Sequence, residues 1–293
     1  MLYGKWQTMH TKKTTAGLLL CIMFLATVCA QGAGPDKGKV KSPHIQSYQI
    51  ESPFQHNSTT VRILLPDDFD AAKTYKVLYV LPVVANDERK YGGGLSEIIK
   101  YNYHNTHQLI CVAPEFTSKP WYADHCDNKG RQDESHLLKT ILPFVESKFP
   151  AIKTKEGRLL MGFSKSGWGA FTLLLRNPDV FYKAVGWDSG IRVDTGSIDE
   201  EDRARRIKEY FGSRSNFENY RISSLIKSRG KLLGNEERLF YYNTEGIRAK
   251  GGAELHRQMV EAGFTHRYVF EKKRKHRWDS GWIPLAVEFL VED

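Results

Sequence analysis

The alternation of short apolar runs with amphipathic segments constrains the fold of this chain more than any other feature. Nearly continuous apolar runs lie at 76–82, 109–114 and 158–163, as expected of strands that are covered on both faces. Apolar side chains recur instead at helical spacing within 134–149, at Leu137, Leu138, Ile141, Leu142 and Val145. Strands that alternate with helices predict βαβ units and a mostly parallel sheet with helices on both faces.

The same patterns predict the order of elements along the chain. Strands are predicted at 44–52, 58–65, 76–82, 109–114, 158–163, 181–187, 238–242 and 268–271. Helices are predicted at 134–149, 167–175, 253–262 and 282–291, and the charged stretch at 198–235 is predicted to be helical in part. The first two strands are expected to form an antiparallel edge. Because no internal repeat or second domain is visible, we predict one α/β domain over residues 44–293.

Residues 1–30 have the organisation of a secretory signal peptide. A positively charged start without acidic residues precedes an apolar run at 16–28, which is too short to span a bilayer. Val28-Cys29-Ala30 then resembles a cleavage site. The alternative interpretation is an N-terminal membrane anchor. We predict export to the periplasm or the medium, a flexible lead-in at 31–43, and no stable membrane insertion after signal cleavage.

Net charge and cysteine content restrict the partners of the chain. The formal net charge is +9 at pH 7, but no nucleic-acid readout motif accompanies it, so no nucleic-acid partner is predicted. Cys111 and Cys126 are the cysteines outside the signal segment, and their spacing fits no zinc or haem site. They are compatible with one disulfide of an exported protein, or with a free Cys111 packed in a buried strand.

Ser164 lies in a segment that is typical of a catalytic nucleophile. It stands between the predicted strand at 158–163 and the helix at 167–175, in the order glycine, any residue, serine, any residue, small residue. Gly162 and Ser166 supply the small residues that so sharp a turn needs, with Ser166 where a second glycine is usual. The alternative is a glycine- and serine-rich turn without chemistry. The helix start would direct free N–H groups, including that of Lys165, at a developing oxyanion.

Four segments together resemble one protein family. They are the turn segment at 162–170, the apolar run at 77–82, Pro120-Trp121-Tyr122-Ala123-Asp124 and His276-Arg277-Trp278. They are similar to the esterase family of α/β-hydrolases that includes esterase D, feruloyl esterases and the mycolyltransferases. The resemblance runs from about residue 44 to the end of the chain. It implies a single α/β-hydrolase domain that cleaves carboxylic esters through an acyl-enzyme, without a metal or organic cofactor.

The chain departs from that family after the third predicted strand. A His-Gly pair is expected there, and this sequence has Pro82-Val83-Val84 instead. We expect a backbone N–H of Val83 or Val84 to complete the oxyanion site together with that of Lys165.

A hydrolase serine needs a histidine that removes its proton and an acid that orients the imidazole. His276 stands in the loop before the last predicted helix, where α/β-hydrolases place this histidine, and it matches the family's His-x-Trp motif. Two carboxylates are candidates for the acid. Asp188 follows the predicted strand at 181–187, and Glu245 follows the next strand, which is the commoner arrangement. Asp188 is preferred because an Asp directly after an apolar strand is unusual unless it is used.

The substrate pocket is expected near Trp121 and Tyr122, at the edge where parallel strands end. Lys165 and the basic run at 272–275 would bring positive charge to the reaction centre, which could attract anionic substrates, although such a run is more often a solvated face. A small-molecule or glycan ester is the predicted substrate. The same site is compatible with an acyltransferase, and the same fold with a non-catalytic binding protein.

Overall fold

The structure, a computed structural model, describes residues 45–85 and 90–292. The predicted signal peptide at 1–30 and the predicted lead-in at 31–43 lie outside these residues. The described strands are β1 (Ile45–Ile50), β2 (Thr59–Leu64), β3 (Lys76–Leu81), β4 (Leu109–Pro114), β5 (Arg158–Phe163), β6 (Lys183–Trp187), β7 (Leu239–Thr244) and β8 (Arg267–Glu271).

These strands form one twisted layer in the order β1-β2-β4-β3-β5-β6-β7-β8. β1 pairs with β2, and β2 with β4, in antiparallel fashion. All other neighbours are parallel, which requires a crossover between each consecutive pair. The mostly parallel sheet with an antiparallel N-terminal edge is confirmed.

The helices connect and cover the strands. They are α1 (Gly94–Lys100), α2 (Tyr103–Thr106), α3 (Asp133–His136), α4 (Leu142–Lys148), α5 (Lys165–Arg176), α6 (Arg192–Thr195), α7 (Glu200–Phe211), α8 (Arg214–Glu218), α9 (Ile222–Arg229), α10 (Ala249–Glu261) and α11 (Ile283–Val291). Short 3₁₀ segments lie at Lys90–Gly92, Lys155–Gly157 and Gly230–Leu233. Within 45–85 and 90–292, no helix has both the length and the apolar character that crossing a bilayer requires.

The sheet has a hydrophobic core on each face, which explains the continuous apolar runs of the sequence. Along β3, Val77 and Tyr79 enter one core, and Leu78 and Val80 enter the other. The first core is closed by α4, α5, α9 and α10, and the second by α1 and α11. Because successive strand residues point to opposite faces, every position of a doubly covered strand must be apolar.

The predicted helix at 134–149 is interrupted. α3 and α4 flank a π-helical segment, Leu137–Ile141, and Pro143 lies in the first turn of α4. A proline has no N–H and its ring crowds the carbonyl four residues earlier, so the regular α-helical hydrogen bonds cannot continue through this point.

Two short helices, α1 and α2, lie between β3 and β4 and are not predicted by the sequence patterns. α1 begins at Gly94, where a side chain would lie 2.3 Å from Cγ1 of Val80. The glycine run that permits this close approach to the sheet also weakens the helical signal. The stretch at 198–235 contains α7, α8 and α9, as the partly helical prediction required.

Cys111 and Cys126 are free thiols. Cys111 is buried in β4 and Cys126 lies exposed in the loop after it, and neither forms a disulfide. Burial raises the pKa of the Cys111 thiol well above its ordinary value, so this side chain is an inert packing group.

Candidate active site

Ser164 lies on the sharp turn between β5 and α5 that the sequence predicted. Its backbone has φ 56° and ψ −123°, a conformation that L-residues seldom adopt. A side chain at Gly162 would come within 2.1 Å of the carbonyl oxygen of Ser166, so position 162 must be glycine for the turn to close. The strained backbone and the close packing fix the direction of the Ser164 side chain.

Ser166, which replaces the usual glycine, takes part in the turn. Its Oγ accepts a hydrogen bond from the N–H of Phe163 at 2.9 Å and donates one to the Phe163 carbonyl at 2.8 Å. The hydroxyl therefore satisfies the last residue of β5 on both sides, and the substitution adds hydrogen bonds to the turn rather than disrupting it.

The structure brings Ser164, His276 and Asp188 together at the carboxyl edge of the sheet. Nε2 of His276 lies 3.0 Å from Oγ of Ser164. On the other side of the ring, Nδ1 is hydrogen-bonded to Oδ2 of Asp188. Asp188 is buried directly after β6, with φ 40°, and its N–H donates to the carbonyl of Tyr242 at 2.9 Å.

Glu245, the alternative acid, lies elsewhere. It is exposed beyond β7, and its Oε1 accepts a hydrogen bond from the backbone N–H of Lys273 at 3.0 Å. This carboxylate therefore holds the loop that carries His276 and does not contact the imidazole. Of the two candidate acids, the structure places only Asp188 against His276.

The loop between β8 and α11 holds the His276 ring in a slot of aromatic side chains. The centroid of the Phe163 ring is 4.4 Å from that of His276, and that of Tyr91 is 6.3 Å away. The N–H of Trp278 donates to the carbonyl of Tyr91 at 2.8 Å, which joins this loop to the segment before α1. These aromatic contacts restrict rotation of the imidazole.

A cavity of about 340 Å³ opens onto Ser164 and His276. The described residues that line it are Val83, Val84, Tyr91, Lys119, Trp121, Ser164, Lys165, Gly190, Arg192, Val193, Ile198, Arg206, Arg248 and His276. This volume lies at the lower end of the range for small-ligand sites.

Trp121 lines this cavity but Tyr122 does not. Tyr122 is fully buried, and its hydroxyl donates to the carbonyl of Pro82 at 2.5 Å. Tyr122 has a positive φ of 54°, so the backbone bends at this residue, and its side chain enters the core while Trp121 lines the cavity. The expectation that Tyr122 contacts substrate is therefore wrong in its placement: this side chain supports the end of β3, which precedes Val83 and Val84.

The backbone groups expected to hold an oxyanion surround the same cavity. Lys165 is the first residue of α5, and the N–H groups of a first helical turn have no carbonyl partner within the helix. Val83 and Val84 line the cavity from the end of β3. The helix dipole of α5 also favours negative charge at this point.

The expectation of positive charge at the cavity holds for Lys165 but not for the basic run at 272–275. Lys165 lines it, and burial together with the neighbouring Lys119 and Arg206 lowers the pKa of its ammonium group to about 8. The run at 272–275 does not line the cavity: its lysines are exposed, and Arg274 pairs with Glu271. That run is a solvated face, and the charge of the site comes from other residues.

Four basic residues that line the cavity are not predicted from the sequence. Lys119 and Arg248 lie in loops, and Arg192 and Arg206 lie in the helical stretch after β6. None belongs to a recognisable motif, and only the folded arrangement of distant segments brings them to one cavity.

One cluster of metal-ligand type lies outside this site. His125, Cys126 and Asp127 have ligand atoms within 4.8 Å of one another on an exposed loop. However, Nδ1 of His125 already accepts the N–H groups of Asp127 and Asn128, each at 3.1 Å. The cluster is thus explained as a hydrogen-bonded turn.

The chain is similar in sequence to known esterases. Residues 52–284 match the family described as "Putative esterase". Esterase Rv1288 of Mycobacterium tuberculosis is 26% identical over 138 residues, which cover 44% of this chain and 28% of that protein. The match therefore spans less than a third of the length of this relative.

Solved structures share the fold at low sequence identity. Fluorophosphonate-binding serine hydrolase F of Staphylococcus aureus (FphF) superposes with a TM-score of 0.70 at 18% identity, covering 86% of this chain and 99% of that one. A ferulic acid esterase superposes with a TM-score of 0.67 at 20% identity, covering 85% and 96%. At such identities the likeness establishes the fold, that of an α/β-hydrolase. Because the family match extends over most of the sequence, the protein belongs to the "Putative esterase" family of ester hydrolases.

Proposed function

We propose that this protein is a secreted serine carboxylesterase that works through an acyl-enzyme, with Ser164 as nucleophile, His276 as general base and acid, and Asp188 as the acid of the triad. The observation that carries the proposal is the continuous hydrogen-bonded chain from Ser164 Oγ through both nitrogens of His276 to Asp188. It lies at the carboxyl edge of the sheet and opens onto a cavity of substrate size.

The proposed reaction proceeds in two halves. Nε2 of His276 accepts the Ser164 hydroxyl proton while Oγ attacks the ester carbonyl carbon, and the tetrahedral intermediate collapses as His276 protonates the departing alcohol. Water then gives a proton to His276 and attacks the acyl-enzyme, which releases the carboxylic acid and free Ser164. Asp188 keeps Nδ1 protonated and stabilises the imidazolium in both halves.

The negative charge of each tetrahedral intermediate needs preorganised donors. We assign this role to the backbone N–H of Lys165 and that of Val83 or Val84. The bond between the Tyr122 hydroxyl and the Pro82 carbonyl supports the second donor, because it fixes the backbone just before Val83.

A fluorophosphonate probe tests the nucleophile. We expect stoichiometric labelling at Ser164, identified by peptide mass, with no label on Ser164→Ala. Ser147→Ala should label normally, because Ser147 is exposed and does not line the cavity. An unlabelled wild-type chain, or label on another serine, would refute the proposal and favour a non-catalytic binding protein.

Product analysis separates hydrolysis from acyl transfer. A nitrophenyl ester incubated with and without a sugar or short alcohol should give the free acid as the main product in both cases. If the acylated acceptor dominates, the protein is an acyltransferase on the same site.

The proposal of export is supported by the charged start and apolar run within residues 1–30. Expression of the whole chain in a bacterial host should yield a mature protein in the periplasm or medium whose N-terminus is Gln31. A full-length protein that stays in the membrane fraction would indicate the N-terminal anchor instead.

A further inference from the structure

The cavity at Ser164 is lined by five basic side chains, and no carboxylate is among its described lining residues. The five are Lys119, Lys165, Arg192, Arg206 and Arg248. They come from four separate parts of the chain: the loop after β4, the start of α5, the α6–α7 stretch and the loop before α10. The fold therefore brings these five side chains together around one cavity of about 340 Å³, although they are not neighbours in the sequence.

Most of this charge lacks a matching negative charge. Arg206 pairs with Asp202 at 2.8 Å, and Arg192 donates to the carbonyl of Ser197 at 3.2 Å. Among residues 45–85 and 90–292, neither Lys119 nor Lys165 makes an ion pair or a side-chain hydrogen bond. These two lysines therefore line the cavity without a carboxylate partner in contact.

Arg248 adds to the excess. Its Nη1 lies 3.8 Å from Oδ2 of Asp188, an oxygen that is already hydrogen-bonded to His276. One carboxylate thus serves two positively charged partners whenever His276 is protonated. The remaining charge of the guanidinium is available to a molecule in the cavity.

Burial and the neighbouring cations act together on Lys165. Burial, and then Lys119 and Arg206, lower its pKa to about 8, while Glu209 acts in the opposite direction and offsets this only in part. Holding like charges in a half-buried cavity costs free energy that a bound anion would recover. Backbone N–H groups suffice for the single oxyanion of ester hydrolysis, so five side-chain cations exceed what that step requires.

We propose that the substrate is a carboxylic ester that carries a second, permanently ionised acidic group, such as a carboxylate or a sulfate, and that Lys165, Lys119 and Arg206 bind this group. The inference rests on the proposed esterase function and specifies its substrate class. Lys165, Lys119 and Arg206 are substrate-binding residues in this assignment, and Val83, Val84 and Trp121 supply apolar lining to the same cavity. A guanidinium and two ammonium groups provide charge-assisted hydrogen bonds to a small oxyanion.

Paired substrates that differ in one charge test this assignment. In the acyl arm, the 4-nitrophenyl monoester of adipate is compared with 4-nitrophenyl hexanoate, in which a methyl group replaces the carboxylate. In the alcohol arm, 4-acetoxybenzenesulfonate is compared with phenyl acetate. We expect kcat/KM to favour the anionic member at least tenfold in one arm at low ionic strength, and expect 0.5 M NaCl to reduce that preference.

Variants then locate the preference. Lys165→Met and Arg206→Met should each lower the anionic-to-neutral ratio of kcat/KM by about fivefold to tenfold, the usual effect of one charge-assisted contact. Lys208→Met is the matched control, because Lys208 lies on the same helix as Arg206 but is exposed and does not line the cavity. It should leave the ratio unchanged. Thermal unfolding of each variant checks that it is folded.

The outcomes separate this inference from the proposed function. If Ser164 reacts with the fluorophosphonate and the neutral esters turn over, yet the neutral member is preferred in both arms, the anionic substrate is refuted and the esterase stands. A preference that survives in both variants refutes the assigned residues. If Ser164 is unreactive and no ester turns over, the proposed function itself has failed.

Discussion

Two regions meet at the cavity, and they are held in place by different means. The first, the strand edge, comprises Ser164 after β5 and Asp188 after β6. The second, the cap, comprises residues 192–233 with α6 to α9. At the strand edge the N–H of Ser164 donates to the carbonyl of Trp187 at 2.9 Å, and that of Asp188 donates to Tyr242 at 2.9 Å. The backbone of the sheet itself thus positions Ser164 and Asp188.

The cap is held by side chains. Asp194 is fully buried and accepts hydrogen bonds from Trp168 Nε1 at 3.1 Å and from the N–H groups of Ile222 at 2.6 Å and Ser223 at 3.1 Å. It thereby joins α6, the start of α9 and α5. The cap supplies Arg192 and Arg206 to the cavity. Under the proposed function, the strand edge would supply the nucleophile and the acid, and the cap would supply part of the positive charge that selects the ester.

Replacement of Asp188, the acid of the strand edge, is expected to have the largest effect on activity. Asp188→Asn should lower kcat by about 10³- to 10⁴-fold for anionic and neutral esters alike, because the wrong imidazole tautomer is then favoured. Asparagine is the suitable substitute since it tolerates the positive φ of 40° at this position. Steady-state kinetics with the paired esters measures the effect.

Glu245→Gln is the control for that experiment. Glu245 contacts only the backbone of the His276 loop, so its amide should retain activity within about tenfold of the wild type, as expected of a group outside the triad. An equal loss in both variants would contradict the assignment of Asp188 and the distinction between the regions.

Removal of the buried acid of the cap should act differently. Asp194→Ala leaves four buried donors without an acceptor, namely Trp168 Nε1, the N–H groups of Ile222 and Ser223, and the Ser223 hydroxyl. We expect the free energy of unfolding to fall by about 3 kcal/mol. The anionic preference should decline more than the turnover of neutral esters, because the cap carries Arg192 and Arg206. Urea unfolding and the paired kinetics measure the two effects.

Glu200→Gln is a matched change on the cap surface. Glu200 is exposed and pairs with Arg203 and Arg214, so its replacement should leave both stability and preference nearly unchanged. If Asp194→Ala changed stability and anionic preference as little as Glu200→Gln, the inference that the Asp194 side chain holds the cap in place would be wrong.

The same contrast explains what could be predicted from the sequence. The turn at Ser164 is local, since glycine, serine and the flanking strand and helix lie within a few residues of one another. His276 was found from its position before the last helix. Asp188 could only be preferred, because its partner His276 is 88 residues away and the choice depends on which strand ends meet.

The cap could not be predicted in this way. Arg206 and Arg248 reach the cavity only through the packing of helices and loops, which has no short-range sequence signal. Trp121 and Tyr122 show the same difficulty. The sequence predicts both in the pocket, but Tyr122 is buried in the core, where its hydroxyl donates to the carbonyl of Pro82. Periodicity predicts elements, whereas the side on which a loop residue lies is decided by tertiary contacts.

Lys165 allows the charge of the cavity to be titrated at the boundary of the two regions. Its pKa of about 8 reflects burial and the cations Lys119, Arg206 and Arg131, with Glu209 acting in the opposite direction. As pH rises through 8 the free enzyme loses this positive charge, so the anionic-to-neutral ratio of kcat/KM should fall by about fivefold to tenfold, to the value expected of Lys165→Met.

The ratio isolates this effect. Any pH effect on the bond-breaking step that is common to both esters cancels in the ratio, so the ratio reports on binding of the anionic group. In Lys165→Met the ratio should be independent of pH between 7 and about 9.5. A variant that keeps the wild-type pH profile would show that another group carries the dependence.

Asp133 gives the smallest effect and tests how the two regions are joined. Its carboxylate accepts the N–H of Trp121 at 2.9 Å, and Trp121 packs on Trp168 of α5 and on Tyr210 and Phe211 of the cap. Desolvation by burial raises the pKa of Asp133 to about 7 from 3.8, so the folded state binds more protons than the unfolded state between these values. Stability from this group is complete below the unfolded pKa and is lost as pH rises through 7.

Asp133→Asn removes this dependence while keeping a hydrogen-bond acceptor for Trp121. The free energy of unfolding of the wild type relative to Asp133→Asn should therefore decrease steadily from pH 5 to pH 8 in urea titrations, and groups common to both proteins cancel in the difference. A constant difference across this range would mean that Asp133 is already ionised at pH 5. In that case solvent reaches the carboxylate beneath Trp121, and the contact between the strand edge and the cap is looser than the packing of Trp121 implies.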